Sequence, residues 1–187
     1  MTRFVDQIAG YIEQENLSMD NLTIILPSER MKKYLSSAIY ERYQKPIFAP
    51  EIVTIDRWVK DHSSRAVIDK TRALVKLFDI QLKHAKEEKD KLFDEFLAWG
   101  AMLLADFNEI DRYQLDAKQV FKNLADIKEI ENWSFGEEKL SDAQKRFMEF
   151  WDRLPGYYKE LNTILDSKNQ CYSGSAFKEV SENIDVF

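Results

Sequence analysis

Glycine is scarce in this chain and comes only singly. Five are spread over 187 residues, at positions 10, 100, 136, 156 and 174. Neither Gly-x-x-x-x-Gly-Lys-Ser/Thr nor Gly-x-Gly-x-x-Gly occurs, so the sequence offers no backbone nest for a nucleotide's phosphates. Cysteine is scarcer still. Cys171 stands alone and cannot form an internal disulfide, which points to a reducing compartment and a cytoplasmic location. No apolar run reaches the roughly 18 residues that a membrane span requires. Asp6, Gln7 and Glu13 interrupt the stretch that a signal peptide would keep apolar, so no membrane partner is expected. His62 and His84 have no second ligand at useful spacing, which leaves metal sites without a candidate. No nucleophile has a local base beside it, so catalysis has no visible home.

What the chain does have is apolar and charged residues in a globular balance, 44% hydrophobic against 32% charged. With 13% aromatics, that composition excludes disorder and suits a helix-rich domain with a core. The net charge of -6 argues against a strongly basic nucleic-acid binder, although net charge hides local patches. The first 60 residues balance 8 basic against 8 acidic side chains, so the acidic excess lies entirely in the remainder.

Hydrophobic spacing divides the chain in two. Phe4, Ile8, Tyr11 and Ile12 predict an amphipathic first helix. Leu22 to Leu26 is a short apolar run that suits a strand buried on both faces, stopped by Pro27. Ser28 can cap a helix through about Tyr43, with Met31, Leu35, Ala38 and Ile39 inward. Ile52 to Thr54 reads as a second strand and Asp56 to His62 as a short helix. Strand, helix, strand over this distance implies a parallel βαβ crossover. After His62 the pattern becomes helical. One helix is expected over 66–88, ending in the solvated run KEEKDK. Another carries Leu92, Phe96, Trp99 and Leu103; a short one follows a cap at Asp116; a further one follows Ser141 or Asp142. Pro155-Gly156 predicts a kink or a split in that last stripe, and a final helix is expected over 175–183. The apolar ending IDVF starts like a strand without a partner and suggests the front piece of a longer protein.

Few groups suggest chemistry. Asp106, Glu109 and Asp111 in DFNEIDRY are read as a solvated face or cap ahead of a metal or acid–base site. Two loops remain, Pro27-Ser28-Glu29-Arg30 with Lys32 and Lys33, and Thr54-Ile55-Asp56-Arg57-Trp58. Both follow parallel strands and should open on one edge of the sheet, where α/β proteins bind ligands. Ser28, Arg30, Lys33, Thr54, Arg57 and Trp58 bring hydroxyls, cations and one large ring. That mixture fits a single-stranded nucleic acid. The alternative makes Ser28 a cap, Arg30 and Lys33 solvated, and Trp58 part of the core.

The order of these features resembles the AddB/RexB-type proteins. ILPSERMKKYL looks like their counterpart of helicase motif Ia, and IVTIDRWV looks like the next motif, Thr-x-His/Asp-x-aromatic, matched at Thr54, Asp56 and Trp58. WGAMLLADFNEIDRYQLDAKQVFKNLADIKEIENWSF is similar to the Bacteroidetes branch, PD-(D/E)XK nuclease family proteins with an inactivated superfamily I helicase region. YSGSAFKEV resembles the Gly-x-x-Tyr/Phe-x-x-Val stretch that follows there. The resemblance implies an α/β fold: a small parallel-sheet, P-loop-like helicase part over 1–64, then a mostly α-helical subdomain over 65–187. It implies a longer DNA repair and recombination protein ending in an exonuclease domain. Active relatives place a Walker A loop before their first helix, whereas here the chain opens on FVDQIAGYIEQE; ATP hydrolysis and a bound cofactor are therefore not expected. The nuclease residues would lie beyond Phe187. The expected partners are single-stranded DNA, bound weakly, and either the rest of the same polypeptide or an AddA-like helicase–nuclease subunit. A scaffold that docks one of these without touching DNA is the alternative, and exposed Trp99, Trp133 or Trp151 would favour it.

Overall fold

The structure, a computed structural model, describes residues 3–44, 46–85, 92–133 and 142–186. The run expected over 86–91, the cap expected at Ser141 and the side chain of Trp133 lie outside the described residues. The chain divides into two compact units, Met1–His62 and Ser63–Phe187. It is mostly helical with two small parallel two-stranded sheets, in keeping with the α/β class.

In the first unit, helix α1 (Phe4–Gln14) and a short 3-10 turn (Met19–Asn21) lead into strand β1 (Thr23–Leu26). Helix α2 (Glu29–Tyr43) then returns the chain to strand β2 (Glu51–Thr54), which runs straight into helix α3 (Ile55–His62). The strands pair in parallel, with Ile24 opposite Ile52 and Leu26 opposite Thr54. Side chains alternate along a strand. Ile24, Leu26 and Ile52 therefore share a face and join a core with Val5, Ala9 and Ile12 of α1 and Leu35, Ala38 and Ile39 of α2.

Two expectations change here. Strand β1 is not buried on both faces, because Ile25 is 42% exposed on the side that α1 and α2 do not cover. The inward face of α1 is also rotated. Val5, Ala9 and Ile12 are buried, while Phe4 and Tyr11 stand in solvent.

The second unit opens with strand β3 (Ala66–Val67), which pairs in parallel with strand β4 (Gln170–Cys171). The expected helix over 66–88 therefore begins only at Lys70, where the Asp69 carboxylate accepts the Arg72 N–H and caps helix α4 (Lys70–His84). Helix α5 (Phe93–Arg112) follows, then α6 (Ala117–Trp133), capped by Asp116 through the N–H groups of Lys118 and Gln119. Helices α7 (Asp142–Asp166) and α8 (Ser173–Glu182) complete the unit. Leu77, Phe96, Phe107, Tyr157, Leu161 and Leu165 form the centre of its core. Phe107 meets the rings of Phe121 and Tyr158 edge-on, an arrangement that suits the ring quadrupole.

Helix α7 runs unbroken through Pro155, without the expected split. Pro155 and Gly156 are exposed, while Leu154 and Tyr157 on either side are 5% and 2% exposed. Core contacts on both sides thus accompany a helix that continues although the proline ring removes a backbone hydrogen bond. The expected terminal strand is instead a 3-10 turn over Ile184–Val186.

Helix α8 lies against α5 at close range. The Gly174 N–H donates to Asn108 Oδ1 at 2.6 Å, and a Cβ at position 174 would fall 2.1 Å from the Asn108 carbonyl oxygen. Backbone cannot yield as a side-chain tip can. Gly174→Ala is expected to destabilise the protein by about 1–3 kcal/mol, read as a lowered urea midpoint with an unchanged slope.

Candidate nucleic-acid interface

Because β1 and β2 are parallel and in register, they end at the same edge of their sheet, and each feeds a helix there. Ser28 is extended, and its Oγ accepts the Met31 N–H at 3.4 Å. Thr54 is buried, and its Oγ1 accepts the Arg57 N–H at 3.3 Å. Both hydroxyls therefore act as N-caps, each satisfying an N–H that a helix start leaves open.

The remaining four residues separate by engagement. Arg30 and Lys33 are exposed and make no hydrogen bond or ion pair with another described side chain. Arg57 is exposed too, but its Nε donates to Asp61 Oδ2 at 2.5 Å. Trp58 is half-buried, and its ring stacks on His62 with centroids 4.3 Å apart and planes at 27°. His62 Nδ1 lies 2.8 Å from the Trp58 carbonyl oxygen, which can only accept, so Nδ1 carries the hydrogen. Ser28 and Thr54 thus cap the two helices that leave the strand ends, Arg30 and Lys33 lie exposed on the first turns of α2, and Arg57 and Trp58 on the first turn of α3 are engaged by Asp61 and His62. Gly10, the first unit's single glycine, sits within α1 and not beside a strand end.

The most heavily bonded polar groups lie in the second unit, and residue spacing alone did not single them out. Asp111 is only 2% exposed, not part of a solvated face. It accepts the Tyr158 hydroxyl at 2.6 Å and the Tyr172 hydroxyl, and Lys178 Nζ lies 3.7 Å away. Burial, reinforced by the Asp111 charge and hydrogen bonds, pushes both phenols well above the ordinary tyrosine range, so both stay protonated donors. A signal was present. Asp111 follows Phe107 by four residues, which puts it on the inward stripe of α5. By contrast Asp106 is exposed; partial desolvation and the neighbouring Glu109 raise its carboxyl.

Arg65 is the second hub. Its guanidinium reaches Glu179 Oε2 at 3.0 Å and Asp166 Oδ1 at 2.7 Å, and donates to the Ser175 carbonyl and Oγ at 3.2 Å each. Glu179 also accepts the Ser64 N–H at 2.8 Å and the Ser63 hydroxyl at 2.9 Å. These groups line one side of an open cleft of about 640 Å³, with Asp111 and Tyr158 on its floor. The members of this cluster are bonded to one another within the protein. Among the described residues no three His, Cys, Asp or Glu side chains come together to hold a metal ion. No described helix is long and apolar enough to cross a membrane.

Comparison with protein-family models, with curated proteins and with solved structures finds no match to this chain.

Burial would raise the Glu179 carboxyl, but the hydrogen bonds from Ser64, Arg65 and Ser63 outweigh it and hold it down at about 2, below the ordinary 4.5. With the folded value depressed, its contribution to stability is complete above about 4.5 and is lost as pH falls through about 2. Glu179→Gln should therefore lower Tm at neutral pH and flatten the acid limb between about pH 5 and about pH 2. Thermal unfolding followed by circular dichroism across that range checks it; parallel acid limbs would contradict the assignment.

Proposed function

We propose that this chain is the N-terminal, inactivated helicase-like module of an AddB-like DNA repair and recombination nuclease. In this proposal it binds or scaffolds single-stranded DNA without hydrolysing ATP, and its first unit is a degenerate P-loop-like domain. The family half of the proposal rests on the resemblance of ILPSERMKKYL, IVTIDRWV and the long α5–α6 segment. The observation that carries the binding half is the edge where β1 and β2 end together, with Arg30 and Lys33 exposed and unpaired on the first turns of α2. Around it Arg30, Lys32, Lys33, Arg57 and Lys60 face only Glu29, Asp56 and Asp61 in sequence, a local basic excess within an acidic chain. Backbone phosphates need cations but no glycine nest, because each is met one at a time.

A second proposal, a scaffold docking the rest of the polypeptide or an AddA-like subunit, draws on a different surface. Trp99 and Trp151 are half-buried against the core, so neither serves as an exposed anchor. Phe48, 84% exposed, and Tyr40, 74% exposed, stand instead beside an apolar groove of about 440 Å³ that includes Ile39, Ile47, Pro50 and Ile52.

Fluorescence anisotropy with a labelled single-stranded oligonucleotide separates the two. Binding to the 187-residue chain is expected at low salt and should weaken as salt rises. The Arg30→Ala/Lys33→Ala double variant should lower the slope of log K against log salt by about 1.4, roughly 0.7 for each phosphate no longer neutralised. Absence of binding at low salt rules out the DNA proposal and leaves the scaffold.

A further inference from the structure

The core of the first unit determines which way α2 faces. Leu35, Ala38 and Ile39 are buried, so the opposite side of the helix is turned to solvent by packing and not by local preference. On that side Arg30 and Tyr34 are one turn apart, with Lys33 beside them and Ser37 and Tyr40 continuing the face. The stripe extends over about 15 Å. Tyr34 is 51% exposed and Tyr40 74% exposed, and neither hydroxyl is bonded to another described residue. Two cations followed by two exposed rings therefore share this side of the helix. Of the acidic residues on this side, Glu41 is engaged by the Ser37 hydroxyl at 3.2 Å and by Arg3 at 3.5 Å, while Glu29 stands exposed beside Arg30 and one turn from Lys33. Near the helix start two cations therefore outnumber one open carboxylate.

We propose that Tyr34, with Tyr40 beyond it, is the base-stacking residue of the interface, and that single-stranded DNA runs along α2 with its phosphates on Arg30 and Lys33. The inference rests on the single-stranded DNA proposal above and moves its aromatic platform. Trp58, the ring that sequence pointed to, is half-buried and has a face covered by His62. A base arriving at Trp58 would have to compete with that stack. A base arriving at Tyr34 meets an open ring within one turn of two unpaired cations, the combination that binds single strands without sequence preference. A duplex, whose bases are already stacked on each other, gains nothing from such a ring.

The test compares the 187-residue chain with Tyr34→Ala and Tyr34→Phe, each titrated into a labelled oligothymidylate and into an abasic oligonucleotide of the same length. Tyr34→Ala should weaken binding to the oligothymidylate by about fivefold or more, and Tyr34→Phe should stay within about twofold, since the ring is what stacks. All three proteins should bind the abasic strand alike, which also shows that the alanine variant is folded. If the unaltered chain binds and Tyr34→Ala matches it on both strands, the assignment of Tyr34 is overturned while DNA binding stands. Equal weakening on both strands overturns it too, because a stacking residue needs bases. If the unaltered chain binds neither strand, single-stranded DNA binding itself is lost and the assignment with it.

Discussion

Parallel strand pairing is the constraint from which the rest of this structure follows. Two parallel strands cannot be joined by a tight turn; the chain must leave one end and return to the other. In the first unit α2 makes that return, so it must lie over one face of β1 and β2, and both strands must end at the same edge. In the second unit the same rule acts over a far longer span. Strand β3 pairs with β4 across about 100 intervening residues, so helices α4 to α7 together form the connection. The pairing brings the beginning of that unit beside its last helix. Arg65, immediately before β3, then reaches Asp166, Ser175 and Glu179, which flank β4.

This return explains where charge is buried. An ion pair taken out of water is favourable only when every lone pair and proton finds a partner. Around Arg65 and Glu179, backbone N–H, hydroxyl and guanidinium groups meet that condition, and around Asp111 two tyrosines and Lys178 do. Tyrosines held protonated donate to Asp111, and the Glu179 carboxylate, held ionised, accepts from Arg65 and the two serines, which together suit holding one arrangement of α5, α7 and α8. The cleft is lined by the side chains of this network.

Much of this architecture was legible from residue spacing. The inward face of α2, the caps at Ser28 and Asp116 and the parallel β1–β2 pair all follow from period and turn chemistry, whereas of the stripe expected on α5 only Phe96 and Leu103 are buried and Leu92 is exposed ahead of the helix. The misreadings have physical causes. Helix α1 carries two overlapping stripes, Phe4–Ile8–Tyr11 and Val5–Ala9–Ile12; the first has the larger rings, but alanine in the second packs more closely against α2. Strands β3 and β4 are two residues each, too short for any periodicity, and their pairing depends on contacts that no local window contains. The charge of Asp111 suggests solvent, whereas its place in the stripe decides its burial. Pro155 shows that core contacts on both sides can override a breaker signal.

The candidate interface was legible as a place but not in its division of labour. Sequence alone cannot tell whether a hydroxyl after a strand caps a helix, meets a ligand or does both, because its oxygen can accept a helix N–H while its own hydrogen is donated elsewhere. Here the oxygens of Ser28 and Thr54 accept cap N–H groups, which fixes both side chains against the helix starts and leaves each hydroxyl hydrogen as its remaining donor. Arg57 is partly neutralised by Asp61, and Trp58 is stacked on His62. What remains is the outer face of α2, where side chains were free to be anything soluble and are cations and tyrosines. A nucleotide bound by its triphosphate needs converging backbone N–H groups, and the sequence supplies no glycine nest to present them. A strand touched at phosphate and base, as proposed above, makes no such demand, so the proposed binding does not require a cradle.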